Sequence, residues 1–294
     1  MIPGYNTNGF AHHRFRDAAD VLTRIGYRSL AVTLDHDLMN TPDASGVAET
    51  TRRIREGVHG LGLRLTIETG ARFILDPFRK HQPTLISGKP NDRRLRLEYL
   101  VAAVEVAAKL KADSVSFWSG CADSPAESAE LFERLVAGIR SVLNRAERHG
   151  VRLAFEPEPG MFIDTMEKFE RLFEAVSHPL FGLTLDVGHV HCLGDGDVSD
   201  HLRRRRDRLW NIHLEDMRRG VHEHLPFGEG EIDFESLFRM LHAIAYQGPI
   251  HVELPRFSHD AVETARRSYD FLRPLLAQAD AGRNRAPGMR GERE

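Results

Sequence analysis

Eight short apolar, β-branched runs recur along this chain, separated by intervals that suit a helix rather than a hairpin. They are Ile2 to Tyr5, Ser29 to Leu34, Arg64 to Glu68, Ser114 to Trp118, Arg152 to Glu156, Gly182 to Asp186, Leu209 to Leu214 and Pro249 to Leu254. Each is bounded by turn residues, as strands buried in a parallel sheet are. Amphipathic patterns fill the gaps. Asp17 to Gly26 ends on a glycine suited to a helix C-terminus, Arg93 to Leu110 and Ser128 to His149 are the longest, and Asp233 to Leu241 is another. Eight βα units in one chain predict an α/β fold, a (β/α)8 TIM barrel in a single domain, over an open doubly wound sheet. The expected limits are residues 1–277, with 278–294, rich in Arg, Gly and Glu, as a disordered C-terminal tail. Leu75 to Asp92, holding Pro77, Pro83 and Pro90, reads as a long excursion after the third strand and a candidate lid.

Composition narrows the function classes. With 294 residues, 41% hydrophobic and 28% charged, the chain has the balance of a soluble globular protein able to bury a full core. Cys121 and Cys192 cannot form a disulfide framework and fit a reducing, cytoplasmic compartment. A net charge of -3 argues against nucleic acid as the main partner. The one basic block, Arg203 to Arg206, reads as a solvated helix face. No apolar run reaches the roughly 20 residues of a membrane span, and the start lacks a signal-peptide pattern. The expected partner is therefore a small molecule, with homo-oligomerisation left open.

The last four strands end in metal-ligand chemistry. They read Leu153-Ala154-Phe155-Glu156, Leu183-Thr184-Leu185-Asp186, Asn211-Ile212-His213 and His251-Val252-Glu253. In a barrel all strand C-termini open on one face, where active sites sit. Glu156, Asp186, His213 and Glu253 can therefore converge on one divalent ion. Singly, each reads as readily as a salt bridge or a helix cap; four at successive strand ends do not. Three carboxylates and one imidazole suit Mn2+, with Mg2+, Co2+, Fe2+ or Zn2+ as alternatives.

These motifs, together with Asp186-Val187-Gly188-His189, His213-Leu214-Glu215-Asp216 and Phe227-Gly228-Glu229-Gly230-Glu231, resemble the xylose-isomerase-like sugar phosphate isomerase/epimerase family. That family takes in hydroxypyruvate isomerases, ketose 3-epimerases, inosose dehydratases and endonuclease IV. The resemblance covers the barrel and is specific mainly from Leu153 onward. It implies that Glu156, Asp186, His213 and Glu253 bind the ion and that Glu156 and Glu253 also move the substrate proton. It further implies substrate contact for His189 and Glu158. The implied activity is metal-dependent isomerisation or epimerisation of a small sugar or polyhydroxy carbonyl compound through an ene-diolate. The alternatives are an inosose-type dehydratase and an endonuclease IV-like phosphodiesterase.

Two features depart from the simplest member of that family. His222 and His224 align with metal-binding positions of endonuclease IV and are read here as substrate-facing. The ends of strands three and four carry Glu68 and Trp118, where the nuclease branch places histidines. Asn6, Asn8, His12 and His13, then Asp35, His36 and Asp37, offer polar groups on the same face, with capping as the other reading of the aspartates. Arg256 and His259 can reach an anionic substrate group. Asp216 reads as a loop brace, Gly228-Glu229-Gly230 as the shape of a turn, and Phe117 and Trp118 as barrel packing and wall.

Overall fold

The computed structural model describes residues 1–283, and in it all eight apolar runs are strands of one closed barrel. These are β1 (Ile2–Asn6), β2 (Ser29–Thr33), β3 (Arg64–Glu68), β4 (Val115–Phe117), β5 (Leu153–Phe155), β6 (Phe181–Asp186), β7 (Leu209–Leu214) and, after a hairpin, β10 (Pro249–Val252). Neighbours pair in parallel all round the ring, which closes where Ile2 lies opposite Pro249 and Tyr5 opposite Val252. The helices form the outer layer: α1 (Phe15–Ile25), α2 (Ala44–Gly57), α3 (Pro90–Leu110), α4 (Ser128–His149), α5 (Met166–Val176), α6 (Val187–Leu193), α7 (Val198–Arg205), α8 (Phe234–Ala243) and α9 (Ala261–Arg283). The expected tail falls mainly beyond Arg283, outside the described residues. Among the described residues no helix is long and apolar enough to cross a membrane.

The aromatic core shows why the shortest strands hold. Phe117 of β4, Phe155 of β5, Phe181 of β6 and Phe169 of α5 pack with centroids 5.3 to 6.5 Å apart. Each buries a whole ring, a contribution of about 1.5–3 kcal/mol over exposure. The basic block is an ion-paired helix face, with Arg203 on Asp200 and Arg205 on Glu170.

Two local results go beyond the sequence pattern. The excursion after β3 ends at Lys89, because Pro90 starts α3, where its fixed φ suits a first turn. The buried Arg96 of α3 pins that excursion, donating to the carbonyls of Pro83 at 2.7 Å and His81 at 2.8 Å. The strand-seven loop is itself an antiparallel hairpin, β8 (Asp216–Arg218) with β9 (Val221–Leu225). Asp216 braces it by accepting from the amides of Met217, Gly228, Gly230 and Ile232 at 2.9 to 3.1 Å. Gly228 adopts φ 88°, and a Cβ at Gly230 would lie 2.3 Å from the Asp216 carboxylate, so both glycines are required by the turn.

Candidate metal centre

The ends of β5, β6, β7 and β10 place one ligand atom each from Glu156, Asp186, His213 and Glu253 within 4.8 Å of one another. His213 Nδ1 lies 2.7 Å from Glu253 Oε2, 3.0 Å from Glu156 Oε1 and 4.0 Å from Asp186 Oδ2. Asp186 is the last residue of β6 and also the cap of α6. Its Oδ1 accepts from the His189 amide at 2.8 Å, which aims Oδ2 inward. That Oδ2 is buried and has no hydrogen-bond partner. An unsatisfied buried carboxylate oxygen among further carboxylates is costly without a cation. The donor set therefore fits a divalent ion, with three oxygens and one nitrogen as ligands.

The electrostatics of the cluster agree. Burial, reinforced by Glu253 and Asp186, pushes the Glu156 carboxyl up to about 8 against the pull of His213. Burial and neighbouring Glu215 raise Asp186 well above the usual carboxylate range. Burial also works to raise Glu253, but His213 and the Asn8 amide, which donates at 2.8 Å, hold it well below that range. Burial acts to lower His213, and the carboxylates of Glu253, Glu156 and Glu68 together raise it well above its ordinary value.

Sequence reasoning gave no role to four polar residues around this cluster. Glu68, at the end of β3, lies 3.1 Å from His213 Nε2. Asn211 and His251 lie one inward position below His213 and Glu253, and both are fully buried. Glu215 is also fully buried; its Oε1 accepts from the Gly188 amide at 3.0 Å, and burial with nearby Glu253 and Glu156 pushes it up to about 8. Spacing was the available signal, since residues two apart on a strand share a face.

The hairpin brings a second group together. His222 and His224, two apart on β9, join His189 of α6 with their ligand nitrogens within 4.8 Å. His189 Nδ1 meets the Pro157 carbonyl at 3.2 Å and His224 Nδ1 meets the Glu253 carbonyl at 3.1 Å, while the Nε2 atoms of His189 and His222 are 3.1 Å apart. Burial lowers His189 well below its ordinary value and, with His224, lowers His222 to about 4. A neutral imidazole keeps one N–H and one bare nitrogen, so these rings can accept from substrate hydroxyls or hold a further ion through the bare nitrogen.

Both clusters open into one cavity of about 450 Å³. Glu158, Arg256, Asn6, Asn8, Asp35 and His36 line it, as the sequence suggested; burial with the charges of Glu156 and Glu253 pushes Glu158 up to about 8. Trp118 forms part of the wall, the turn after β3 contributes Arg72 and Phe73, and the pinned excursion contributes Lys80 and His81. His12, His13, Asp37 and His259 do not line this cavity. Asp37 accepts from the Phe15 amide at the start of α1, and His259 stacks on Phe257.

The family model for the xylose isomerase-like TIM barrel matches residues 18–275. A curated relative, the L-ribulose-5-phosphate 3-epimerase UlaE of Escherichia coli, is 27% identical over 151 residues, 51% of this chain and 53% of its own length. The chain thus spans about half the length of the curated relatives it matches. Among solved structures, D-allulose 3-epimerase from Methylomonas sp. superposes with a TM-score of 0.74 at 20% identity, covering 94% of this chain and 98% of that one. A D-tagatose 3-epimerase-like protein gives a TM-score of 0.76 at 17% identity, covering 96% and 99%. At these identities the structural likeness speaks for the fold.

Proposed function

The chain belongs to the xylose isomerase-like TIM-barrel family, and on that premise we propose that it is a divalent-metal-dependent sugar epimerase acting at the carbon next to a ketose carbonyl. The observation that carries this reading is the pair Glu156 and Glu253. They reach in from strands on either side of β6 and β7 and meet at His213 Nδ1, 3.0 and 2.7 Å away. When bound, a divalent ion supplies a positive centre that polarises the substrate carbonyl and offsets ene-diolate charge. Mn2+ is the ion best suited to the ligands, with Mg2+, Co2+, Fe2+ or Zn2+ as alternatives.

The protein's part is proton transfer and orientation. One glutamate, ionised, takes the proton from C3; the C–H electron pair moves between C2 and C3, and negative charge develops on O2. The other, protonated, delivers its proton to the opposite face of C3 as the carbonyl re-forms. Atoms and charge balance, and the glutamates end with their roles exchanged. Glu158, His189, His222 and His224 line the cavity and are assigned to substrate hydroxyls. Trp118 supplies an apolar wall that limits water.

The rim suggests the finer substrate. Arg72, Lys80 and Arg256 line the same cavity as Glu156, Glu158 and Glu253, and such cations suit an anionic substituent of the substrate. We therefore assign the substrate as a ketose carrying a terminal phosphate. The test is incubation of Mn2+-loaded protein with ketopentoses and ketohexoses, free and terminally phosphorylated, in D2O. The reading expects interconversion of C3 epimers with deuterium at C3. Loss of water instead would identify a dehydratase, and no C3 exchange on any member would overturn the proposal.

One observation favours a second reading, a phosphodiesterase: the His189, His222 and His224 group beside the first site. It ranks lower because Glu68 and Trp118 occupy the ends of β3 and β4 and the net charge is -3.

A further inference from the structure

His213 is the one nitrogen ligand in the proposed ion site, and its usefulness depends on which ring nitrogen carries hydrogen. Nδ1 faces the carboxylate cluster, whereas Nε2 faces away, into the barrel, 3.1 Å from Glu68 Oε1. An ionised carboxylate only accepts, so this contact keeps a hydrogen on Nε2, while Glu253 and Glu156, 2.7 and 3.0 Å from Nδ1, draw a second hydrogen that a divalent ion at Nδ1 would displace.

The surroundings make that choice non-trivial. Asn211 Nδ2 lies 3.1 Å from Glu68 Oε1 and 3.0 Å from His213 Nε2. An amide NH2 has two hydrogens, so Asn211 could donate to Nε2 and favour the opposite tautomer, with hydrogen on Nδ1. A hydrogen bond to a charged acceptor is roughly twice as strong as a neutral one. Glu68 therefore decides the competition.

The polar chain beneath fixes Glu68 and Asn211 in turn. Because Asn211 Nδ2 must face the Glu68 carboxylate, Asn211 Oδ1 faces His251 Nδ1, at 2.7 Å. His251 then carries hydrogen on Nδ1 and accepts at Nε2 from the Ser29 hydroxyl, at 2.9 Å. Ser29, Asn211 and His251 have no exposed surface, and Glu68 and His213 are nearly as buried. The chain crosses the barrel from β2 through β10 and β7 to β3 by direct side-chain contacts.

We propose that Glu68 is a positioning residue of this site: it holds the Nε2 hydrogen of His213, directed through Asn211, His251 and Ser29, so that Nδ1 is presented bare to a divalent ion. This rests on the assignment of Glu156, Asp186, His213 and Glu253 as the ion site. Outer partners of ligating histidines set tautomer and donor strength, and their loss typically costs about 10- to 100-fold in metal affinity.

The experiment measures Mn2+ affinity from the free-ion EPR signal, with melting temperatures taken in EDTA, for the wild type, Glu68→Gln, Glu68→Asp and His213→Ala. The proposal expects Glu68→Gln to weaken Mn2+ binding about 10- to 100-fold, Glu68→Asp to recover part of that loss, and both to melt in EDTA close to the wild type. A purely structural Glu68 would lower the melting temperature and leave Mn2+ affinity within threefold, which overturns the proposal. Nitrogen-15 histidine NMR of the wild type loaded with Mg2+ gives a readout independent of any variant's folding. A protonated Nε2 on His213 supports the proposal, and a bare Nε2 overturns it. If wild type and His213→Ala bind Mn2+ equally, the ion-site assignment itself fails, a result distinct from failure of the Glu68 role alone.

Discussion

Replacing Glu156 or Glu253, the two glutamates proposed to move the proton, by glutamine separates the two proposed jobs, and the structure predicts that the two variants differ. A neutral amide cannot accept a C–H proton, so Glu156→Gln and Glu253→Gln should each slow C3 epimerisation by about 10²–10⁴-fold. Their ion affinities should diverge. Glu253 uses Oε1 to accept from Asn8 and Oε2 to meet His213 Nδ1. A glutamine there has one oxygen for two places. If it faces the ion, Asn8 must turn, and a charge-assisted bond becomes a neutral one, a loss of about 1–1.5 kcal/mol or roughly 5- to 15-fold in affinity. Besides His213, the side-chain contact of Glu156 is a long one, His189 Nδ1 at 3.9 Å from the same Oε1, so among the described residues no hydrogen bond fixes its other oxygen and its glutamine can turn more freely. Glu253→Gln should thus bind Mn2+ roughly 5- to 15-fold more weakly than Glu156→Gln. The assay is deuterium wash-in at C3 from D2O at saturating Mn2+, run separately on each pure epimer. In a two-base mechanism the surviving glutamate still exchanges the epimer whose C–H faces it, so the variants should lose exchange on opposite epimers. Epimerisation near the wild-type rate in either fully loaded variant would show that glutamate to be only a ligand. Loss of exchange on the same epimer in both variants would refute the two-sided arrangement.

Other outcomes follow from the same structure. Mn2+ at a hundredfold excess over its Kd should add about 2.7 kcal/mol, or roughly 5–10 °C in melting temperature relative to EDTA, read by differential scanning calorimetry. Arg72→Ala and Lys80→Ala should each raise KM for a phosphorylated ketose roughly 10- to 100-fold and leave KM for its free counterpart nearly unchanged, as loss of one charge-assisted contact requires. Asp216→Ala should lower stability by about 3 kcal/mol or more in urea titration, because four amides lose their acceptor. Purified protein should not cleave an abasic-site duplex; cleavage that disappears in Glu253→Gln would favour the phosphodiesterase reading.

The barrel was legible because its strands announce themselves individually. Ser29–Thr33 and Phe181–Asp186 are buried at every position, so their apolar runs need no partner information to be recognised. The hairpin β8–β9 was hidden because Val221-His222-Glu223-His224 has no buried face until Leu225. Its pairing comes instead from the Asp216 carboxylate, which gathers amides from both sides of the turn. The end of the excursion at Lys89 was obscured by three prolines, which mark irregular chain equally well on either side of a helix start.

The convergence of the candidate ion ligands was legible for a reason that also explains what was missed. Chemistry at a barrel mouth is sought at the last inward residue of each strand, and Glu156, Asp186, His213 and Glu253 are found there. The residues that orient them sit one inward step lower, where the same period of two places Asn211 under His213 and His251 under Glu253. On the sequence these looked like polar interruptions of apolar strands. Their value appears only when β3 and β2 close the ring: Glu68 comes within 3.1 Å of His213, and Ser29 within 2.9 Å of His251. Glu68 adds a second lesson. Its position at the end of β3 suggested only a histidine that was not there, yet a carboxylate in that place can do what a histidine cannot. As an acceptor facing His213 Nε2 and Asn211 Nδ2, it sets the direction of the hydrogen bonds from Ser29 to His213. The choice of residue at the end of β3 therefore selects between adding a ligand to the centre and orienting one already present.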